Sequence, residues 1–398
     1  MGTDPTTVKT GSPTKADITP DPNRPKTLIV DLSTNYGGST SRVLSLLSRF
    51  PEGQVSLAAL EGSAISGEAQ KLGLPVQIVG KRKTDPSIVP RLTRLIRDRN
   101  IQVLDSQNIQ SKFYASLASM LTHTALVSTI NSWYTNEHGG TSLKGRIYTS
   151  LELATNWNLS LYITVSENDR KSLLRSGVRA DNIELIYNAV EIKKKTGIDD
   201  NWLHKKLGIP SDRLLCTAVG RLVAIKGYDI LVEAARQACN EIPCLTCVII
   251  GEGEMREELT NQIQEAGLGS RVILAGYFDR DAVLAALQTS DMFVMPSRYE
   301  GTPIALLEAG ALARPIVASS TGGIPELVTD GEHALLVPPE DAPALSRAIV
   351  RLCQDRTVAE KLARNVQQRV RSRFGLEAQV SATLRAYLKA WLKHKQER

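Results

Sequence analysis

Short apolar runs alternate with longer amphipathic stretches along most of the chain. A strand-sized apolar run suits a strand buried on both faces. Apolar residues recurring at three- and four-residue intervals suit a helix with one face on a sheet. In the first half this pattern predicts strands at 28–32, 55–60, 76–79, 101–105, 126–130, 161–166 and 183–187. Helices are predicted between them at 40–49, 64–72, 87–99, 111–121, 143–157 and 168–175. Strands separated in this way pair in parallel through crossover helices.

The alternation breaks at 190–205, where Lys193, Lys194 and Lys195 are followed by Gly197, Asp199 and Asp200, the composition of a linker. It then restarts, with strands at 214–219, 247–250, 272–275, 292–295, 316–318 and 334–337. Helices are predicted at 230–239, 255–266, 282–287, 304–312, 341–353 and 357–373, and a last amphipathic helix at 376–395 holds Tyr387 and Trp391. The expected fold is α/β, with two doubly wound Rossmann-like units in tandem. The expected boundaries are a tail at 1–25, units at 26–192 and 193–374, and a closing helix at 375–398. Ligands of such sheets bind beyond the carboxyl ends of the strands, and two sheets facing each other make a cleft.

Composition narrows the classes. A chain of 398 residues with 42% apolar and 23% charged side chains is globular and can bury more than one core. No apolar run reaches the roughly 18 residues of a membrane span. Residues 1–25 lack the apolar segment of a secretory signal and read as a disordered tail. Five cysteines, an odd number, argue for a reducing compartment, and the expected location is the cytoplasm. The balance of 48 basic against 42 acidic residues, net +6, is too mild to point to nucleic acid.

The richest stretch is Met295-Pro-Ser-Arg-Tyr-Glu300-Gly-Thr-Pro-Ile-Ala-Leu-Leu-Glu308. A strand ends in a polar loop, and Pro303 suits the first helical turn. The unpaired N–H groups at that helix start attract an anion. Pro303 has no N–H, which leaves Thr302, Ile304 and Ala305 as backbone donors. Glu300 before the helix and Glu308 within it can each accept two hydroxyl hydrogen bonds, as a sugar diol requires. In Val219-Gly220-Arg221-Leu-Val-Ala-Ile-Lys226-Gly227 another strand ends in glycine, followed by two cations able to neutralise a diphosphate. Gly37-Gly38 after the opening strand permits close backbone approach. It is neither G-x-G-x-x-G nor a Walker loop, which excludes the dinucleotide and P-loop readings.

Together these stretches resemble the family 4 retaining glycosyltransferases of the GT-B fold. Gly322-Gly323-Ile-Pro-Glu326, Leu336-Val337-Pro338-Pro339 and Tyr187-Asn188 fit the same family pattern, and the resemblance covers residues 26–390. It implies an enzyme with a nucleotide-sugar donor domain at 193–374 and an acceptor domain at 26–192, the last helix crossing back to the latter. By this resemblance Glu300 contacts the donor sugar and Glu308 the ribose hydroxyls. Arg221 and Lys226 hold the diphosphate with the Gly301-Thr302-Pro303-Ile304 turn. Gly38 approaches from the other domain, and Gly276-Tyr277 lies near the base. The implied donor is a UDP- or GDP-linked hexose or N-acetylhexosamine, used with retention and without metal or other cofactor. The implied acceptor is a glycan or lipid-linked precursor in cell-surface polysaccharide or glycolipid synthesis. One position departs from the pattern: Asn131 stands where many members carry a histidine beside the sugar. Asn donates a hydrogen bond but carries no proton at neutral pH. His138, seven residues on, is the candidate to reach the site in its place.

Three other stretches carry candidate chemistry. Asp279-Arg-Asp281 fits a metal-binding pair but stands where a helix needs a capping Asp. Cys244-x-x-Cys247 lacks the further ligands of a zinc site and enters an apolar strand. Residues 81–99 hold seven basic and two acidic side chains, with Arg91, Arg94 and Arg97 on one side of the predicted helix. That side is either a solvated helix face or a contact for anionic lipid headgroups on the inner face of the membrane. Two other functions remain open, a GT-B sugar-nucleotide epimerase and a non-catalytic nucleotide-sugar-binding protein.

Overall fold

The computed structural model describes residues 23–34, 36–133, 143–191 and 196–397. The first sheet holds β1 (Thr27–Asp31), β2 (Val55–Leu60), β3 (Val76–Gly80), β4 (Val103–Ser106), β5 (Ala125–Ile130), β6 (Leu159–Thr164) and β7 (Ile183–Leu185). The second holds β8 (Leu214–Val219), β9 (Leu245–Ile250), β10 (Val272–Gly276), β11 (Met292–Met295), β12 (Ile316–Ser319) and β13 (Leu335–Val337). Their orders are β3-β2-β1-β4-β5-β6-β7 and β10-β9-β8-β11-β12-β13. The pairings are parallel in both sheets. Each sheet reverses its winding once, between β1 and β4 and between β8 and β11, the switch points where such sheets open to ligands.

The first-lobe helices are α1 (Gly38–Leu47), α2 (Ala64–Lys71), α3 (Ile88–Arg99), α4 (Ile109–Thr122), α5 (Leu143–Ala154) and α6 (Glu167–Arg175). Those of the second are α7 (Trp202–Leu207), α8 (Tyr228–Glu241), α9 (Arg256–Glu265), α10 (Arg280–Thr289), α11 (Ile304–Ala311), α12 (Ile324–Leu327), α13 (Ala342–Gln354) and α14 (Arg356–Arg373). The last is α15 (Leu376–Gln396). They cover both faces of the sheets, which is why β1 and β2 are buried at every residue and read as unbroken apolar runs. Side-chain caps fix where several helices begin. Asn108 Oδ1 accepts from Ser111 N at 2.9 Å, and Ser166 Oγ accepts from Asp169 N at 3.1 Å. Asp279 is such a cap too: its Oδ1 accepts from Ala282 N at 2.8 Å.

α15 returns to the first lobe and completes its core. Leu376, Val380, Leu384 and Tyr387 pack with Ile29, Val43, Leu57 and Val127 in one buried cluster. The two chain crossings between lobes run side by side, since Val190 N donates to Phe374 O at 3.1 Å and the rings of Tyr187 and Phe374 meet edge to face. The lysines expected in a linker at 193–195 lie outside the described residues. Part of the expected break is helical instead: in α7, Leu203 is buried and Trp202 packs edge-on against Phe278. The charged composition of that stretch hid two anchoring apolar residues.

The first lobe also buries charge. Lys112 on α4 is fully enclosed, and its ammonium donates to Glu152 Oε1 at 2.6 Å, Asn156 Oδ1 at 2.6 Å and Tyr162 OH at 2.9 Å. Burial pushes the Lys112 pKa down and the Glu152 carboxylate opposes it. This pair ties α4 to α5 beneath the sheet. The five cysteines are free thiols, all in the second lobe.

Candidate active site

At the carboxyl end of β11 the chain leaves the sheet at Met295 and runs through Glu300 to α11. Glu300 is only 8% exposed, and its Oε1 accepts from Lys226 Nζ and Ser297 Oγ, both at 2.6 Å. Lys226 comes from the neighbouring loop after β8. Gly227, with φ of +65°, is what lets the two loops touch, because a Cβ there would fall 2.1 Å from Pro296 O. Arg298 locks the arrangement. Its Nη1 and Nη2 donate to Asp229 Oδ1 and Oδ2 at 2.9 and 2.6 Å, and its Nε to Glu340 Oε1 at 3.0 Å. These carboxylates raise the guanidinium pKa above its usual value.

Pro303 is the residue just before α11 rather than within its first turn, so Ile304 opens the helix. The N–H groups of Ile304 and Ala305 belong to that first turn, where no intrahelical acceptor exists. Thr302 also ties the lobes together: its hydroxyl donates to Val165 O of the first lobe, and its carbonyl accepts from Asn188 Nδ2 at 2.8 Å. Glu308 lies deeper in α11, 6% exposed. Burial pushes its carboxyl up to about 7, and Arg280 at the start of α10 opposes the shift. Arg280 reaches the first lobe, donating to Ser45 Oγ of α1 at 3.3 Å. Arg280 and Glu308 also act on the Tyr36 phenol, whose pKa is raised mainly by burial. Glu308, Arg280 and the turn carrying Gly37 and Gly38 therefore gather at one place between the lobes. A Cβ added at Gly38 would enter open space, so packing does not require glycine there.

On the facing side, Asn131 follows β5. Its Nδ2 donates to Gln107 O at 3.1 Å, while its Oδ1 is buried without a hydrogen-bond partner. Gln107 Oε1 in turn accepts from the buried Arg42 Nη1 at 3.4 Å. Behind it Asp105 is fully buried, accepting from Thr129 Oγ1 and from Tyr387 OH of α15, both at 2.7 Å. Burial raises the Asp105 pKa, and Arg42 opposes it. The donor-side loop packs straight onto Asn131: a Cβ on Gly301 would meet Asn131 O at 2.4 Å. Thus Gly301 serves the closeness of the lobes.

The structure brings Glu300, Lys226, Gly301, Thr302, Ile304, Glu308, Gly38 and Asn131 to the facing carboxyl ends of the two sheets. Arg221 is exposed on the rim of the same loop as Lys226, and Gly276 and Tyr277 close β10, with Tyr277 61% exposed. His138 lies outside the described residues. Arg280, Arg298, Tyr299 and Asp169 were missed. Each acts across loops or lobes, through partners distant in sequence. Among the described residues no group of three or more His, Cys, Asp or Glu is arranged to hold a metal ion.

Two family models match the chain in succession. Glycosyltransferase Family 4 matches residues 36–194, and Glycosyl transferases group 1 matches residues 199–369. Alpha-D-kanosaminyltransferase of Streptomyces kanamyceticus is 31% identical over 176 residues, 44% of this chain and 45% of the relative. The amylovoran biosynthesis glycosyltransferase AmsK of Erwinia amylovora is 31% identical over 200 residues, 49% of this chain and 47% of the relative. The chain thus spans about half the length of these curated relatives in its matches. Among solved structures, Anabaena HepE in complex with UDP-glucose superposes with a TM-score of 0.80 at 23% identity, over 91% of this chain and 99% of that one. Sucrose-phosphate synthase of Thermosynechococcus elongatus superposes with a TM-score of 0.77 at 22% identity, over 92% and 98%. The fold these structures share is GT-B.

Proposed function

Because the chain belongs to the family 4 (group 1) glycosyltransferases, we propose that it moves a hexosyl or N-acetylhexosaminyl group from a nucleotide-diphosphate sugar to a glycan or lipid-linked acceptor. The carrying observation is the pair of buried carboxylates, Glu300 and Glu308, on either side of the α11 start, with Lys226 held at 2.6 Å from the first. Sugar hydroxyls donate to Glu300 at one end and ribose hydroxyls to Glu308 at the other. Between them the diphosphate meets Lys226, Arg221 and the N–H groups of Ile304 and Ala305. As the nucleotide diphosphate departs it gathers negative charge, which these cations and amides stabilise. The acceptor hydroxyl then attacks the anomeric carbon from the same face and passes its proton to the departing diphosphate oxygen, giving retention. Asn131 positions a sugar hydroxyl by hydrogen bonding, and the diphosphate is neutralised by side chains without metal.

The test is a panel of UDP- and GDP-sugars screened by thermal shift, since a ligand that binds only the native state raises the midpoint. HepE's complex with UDP-glucose puts that compound first in the panel. Donor turnover is then measured with and without acceptor, and with chelator. Acceptor-dependent, chelator-resistant release with retained anomeric configuration is expected. Turnover without acceptor that yields an epimer would favour the epimerase, and binding without turnover the non-catalytic reading.

The lipid-facing part of the reading rests on a surface of the first lobe. Phe113, Met120 and Leu121 of α4, Ile147 and Leu151 of α5, and Trp157 are large apolar side chains that stay exposed. Leu121 shares a surface depression with Arg94 and Arg97 of α3, and Arg97 Nη2 donates to Leu121 O at 3.4 Å. Apolar groups flanked by arginines suit the interface of an anionic bilayer. No helix among the described residues is long and apolar enough to cross a membrane. Charge reversal at Arg91, Arg94 and Arg97 should release the protein from phosphatidylglycerol vesicles. Unchanged vesicle binding, or a dimer formed through this face, would refute membrane contact.

A further inference from the structure

The amino end of α6 is where two segments of the second lobe, α12 and the loop carrying Tyr299, meet the first. The Glu326 carboxylate of α12 accepts from Glu167 N at 2.8 Å and Asn168 N at 2.9 Å, capping α6 from the other lobe. The Tyr299 hydroxyl, one residue before Glu300, donates to Asp169 Oδ1 at 2.7 Å and accepts from Asn168 Nδ2 at 2.9 Å. The same Asp169 Oδ1 accepts from Trp133 N at 2.9 Å. Asp169 is fully buried, and its other oxygen accepts from Ser166 Oγ at 2.7 Å. Trp133, itself buried, stands two residues after Asn131.

One carboxylate oxygen therefore joins the loop that carries Glu300 to the backbone that leads away from Asn131. We propose that Asp169 is an interlobe positioning residue, which holds the Asn131 segment in register with Glu300 when Tyr299 docks on it. The inference rests on the transfer reading above. Asp169 touches neither donor nor acceptor; it fixes the distance between the groups that do. A buried carboxylate held by donors from both lobes has one orientation, and without the second-lobe donor it is freer to turn about its Cβ–Cγ bond. Opening the lobes breaks the Tyr299 contact and leaves Trp133 N with a less constrained partner. Register on the acceptor side would thus depend on closure on the donor side.

The test compares Tyr299→Phe, Asp169→Asn and Asp169→Ala by steady-state kinetics and by hydrogen exchange of the backbone at 131–133. Tyr299→Phe is expected to lower kcat about tenfold, the loss of roughly one hydrogen bond in the transition state, with the donor KM changed less than about twofold. Exchange at Trp133 should quicken in the same variant. Asp169→Asn keeps an acceptor oxygen for both donors and should retain kcat within about threefold. Asp169→Ala should lose it, and adding Tyr299→Phe to Asp169→Ala should cost nothing more. If Asp169 only braces its own lobe, Tyr299→Phe leaves both kcat and Trp133 exchange as in wild type, which overturns the proposal. So does an Asp169→Asn enzyme as impaired as Asp169→Ala. Absence of sugar transfer by the wild type would defeat the transfer reading alone, because the exchange comparison needs no turnover.

Discussion

In the second lobe most of the polar side chains that face the site come from two contiguous stretches, 220–229 and 296–308, each running from a strand end into its helix, with Arg280 added from α10. In the first lobe the half-buried Asn131 is backed by buried residues from separate elements: Arg42 of α1, Asp105 of β4, Gln107 and Tyr387 of α15. The second lobe can thus bind through loops laid on an apolar core, which holds its cysteines as core thiols. The first sets its site-facing groups through charge enclosed beneath them. On the proposed reading, binding on one side depends on loop chemistry, and register on the other depends on buried hydrogen bonds.

The comparison breaks most sharply at Lys112. Lys112→Met strands Glu152 in the interior, and we expect a loss of about 3–5 kcal/mol of stability by urea titration. Pairing it with Glu152→Leu should recover much of that loss. A single variant with wild-type stability would show that the first lobe does not rely on enclosed charge.

Next in size is Glu308. Glu308→Ala should weaken nucleotide binding by about 1–3 kcal/mol, measured by titration calorimetry. Its pH dependence has a definite sign. On the proposed reading ribose hydroxyls donate to the carboxylate, so binding favours the deprotonated form, and wild-type affinity should fall as pH drops below about 7. Without ligand the sign for stability is opposite. A carboxyl whose folded pKa is raised contributes stability at low pH that is lost as pH rises through that value. Glu308→Gln should therefore be more stable than wild type at pH 8, with the difference shrinking towards pH 4.5, the ordinary value for Glu. Equal stability of the two proteins across that range would place the carboxylate in water.

Tyr387→Phe sharpens the contrast at smaller scale. It removes the phenol that donates to Asp105 and should cost about 1–2 kcal/mol in thermal unfolding. Asp279→Ala is the mildest of the series. It should cost about 1 kcal/mol as a lost helix cap, with no change in turnover on adding chelator. Chelator sensitivity that disappears with Asp279 would mean that the residue holds a metal.

The same contrast explains what could be read from sequence. The alternation of apolar runs with amphipathic stretches revealed both sheets, because parallel strands covered on two faces need such runs. Glu300, Glu308 and Lys226 could be singled out because strand, loop and helix start are contiguous there, at the strand ends where such sheets bind ligands. Asp169 was legible only as a helix-start residue three places after Ser166, since its partners at 133 and 299 share no spacing with it. Arg298 reads locally as a surface cation, yet it clamps two loops through Asp229 and Glu340. Thr302 was legible as part of the turn, but its hydroxyl serves the lobe contact. α7 was hidden because Trp202 and Leu203 sit among lysines and aspartates. Boundaries such as β9 at Leu245 lie earlier than the apolar run suggests, because Thr246 is buried within the strand.

The most direct measurement of the central claim is a crystal structure of the protein saturated with a nucleotide-diphosphate sugar that it binds. The account predicts the diphosphate between the lobes within hydrogen-bond distance of Lys226 and the first amides of α11, ribose hydroxyls on Glu308 and the sugar against Glu300. A nucleotide sugar bound on another surface, or lying between the lobes with Glu308 and Lys226 both out of reach, would contradict it.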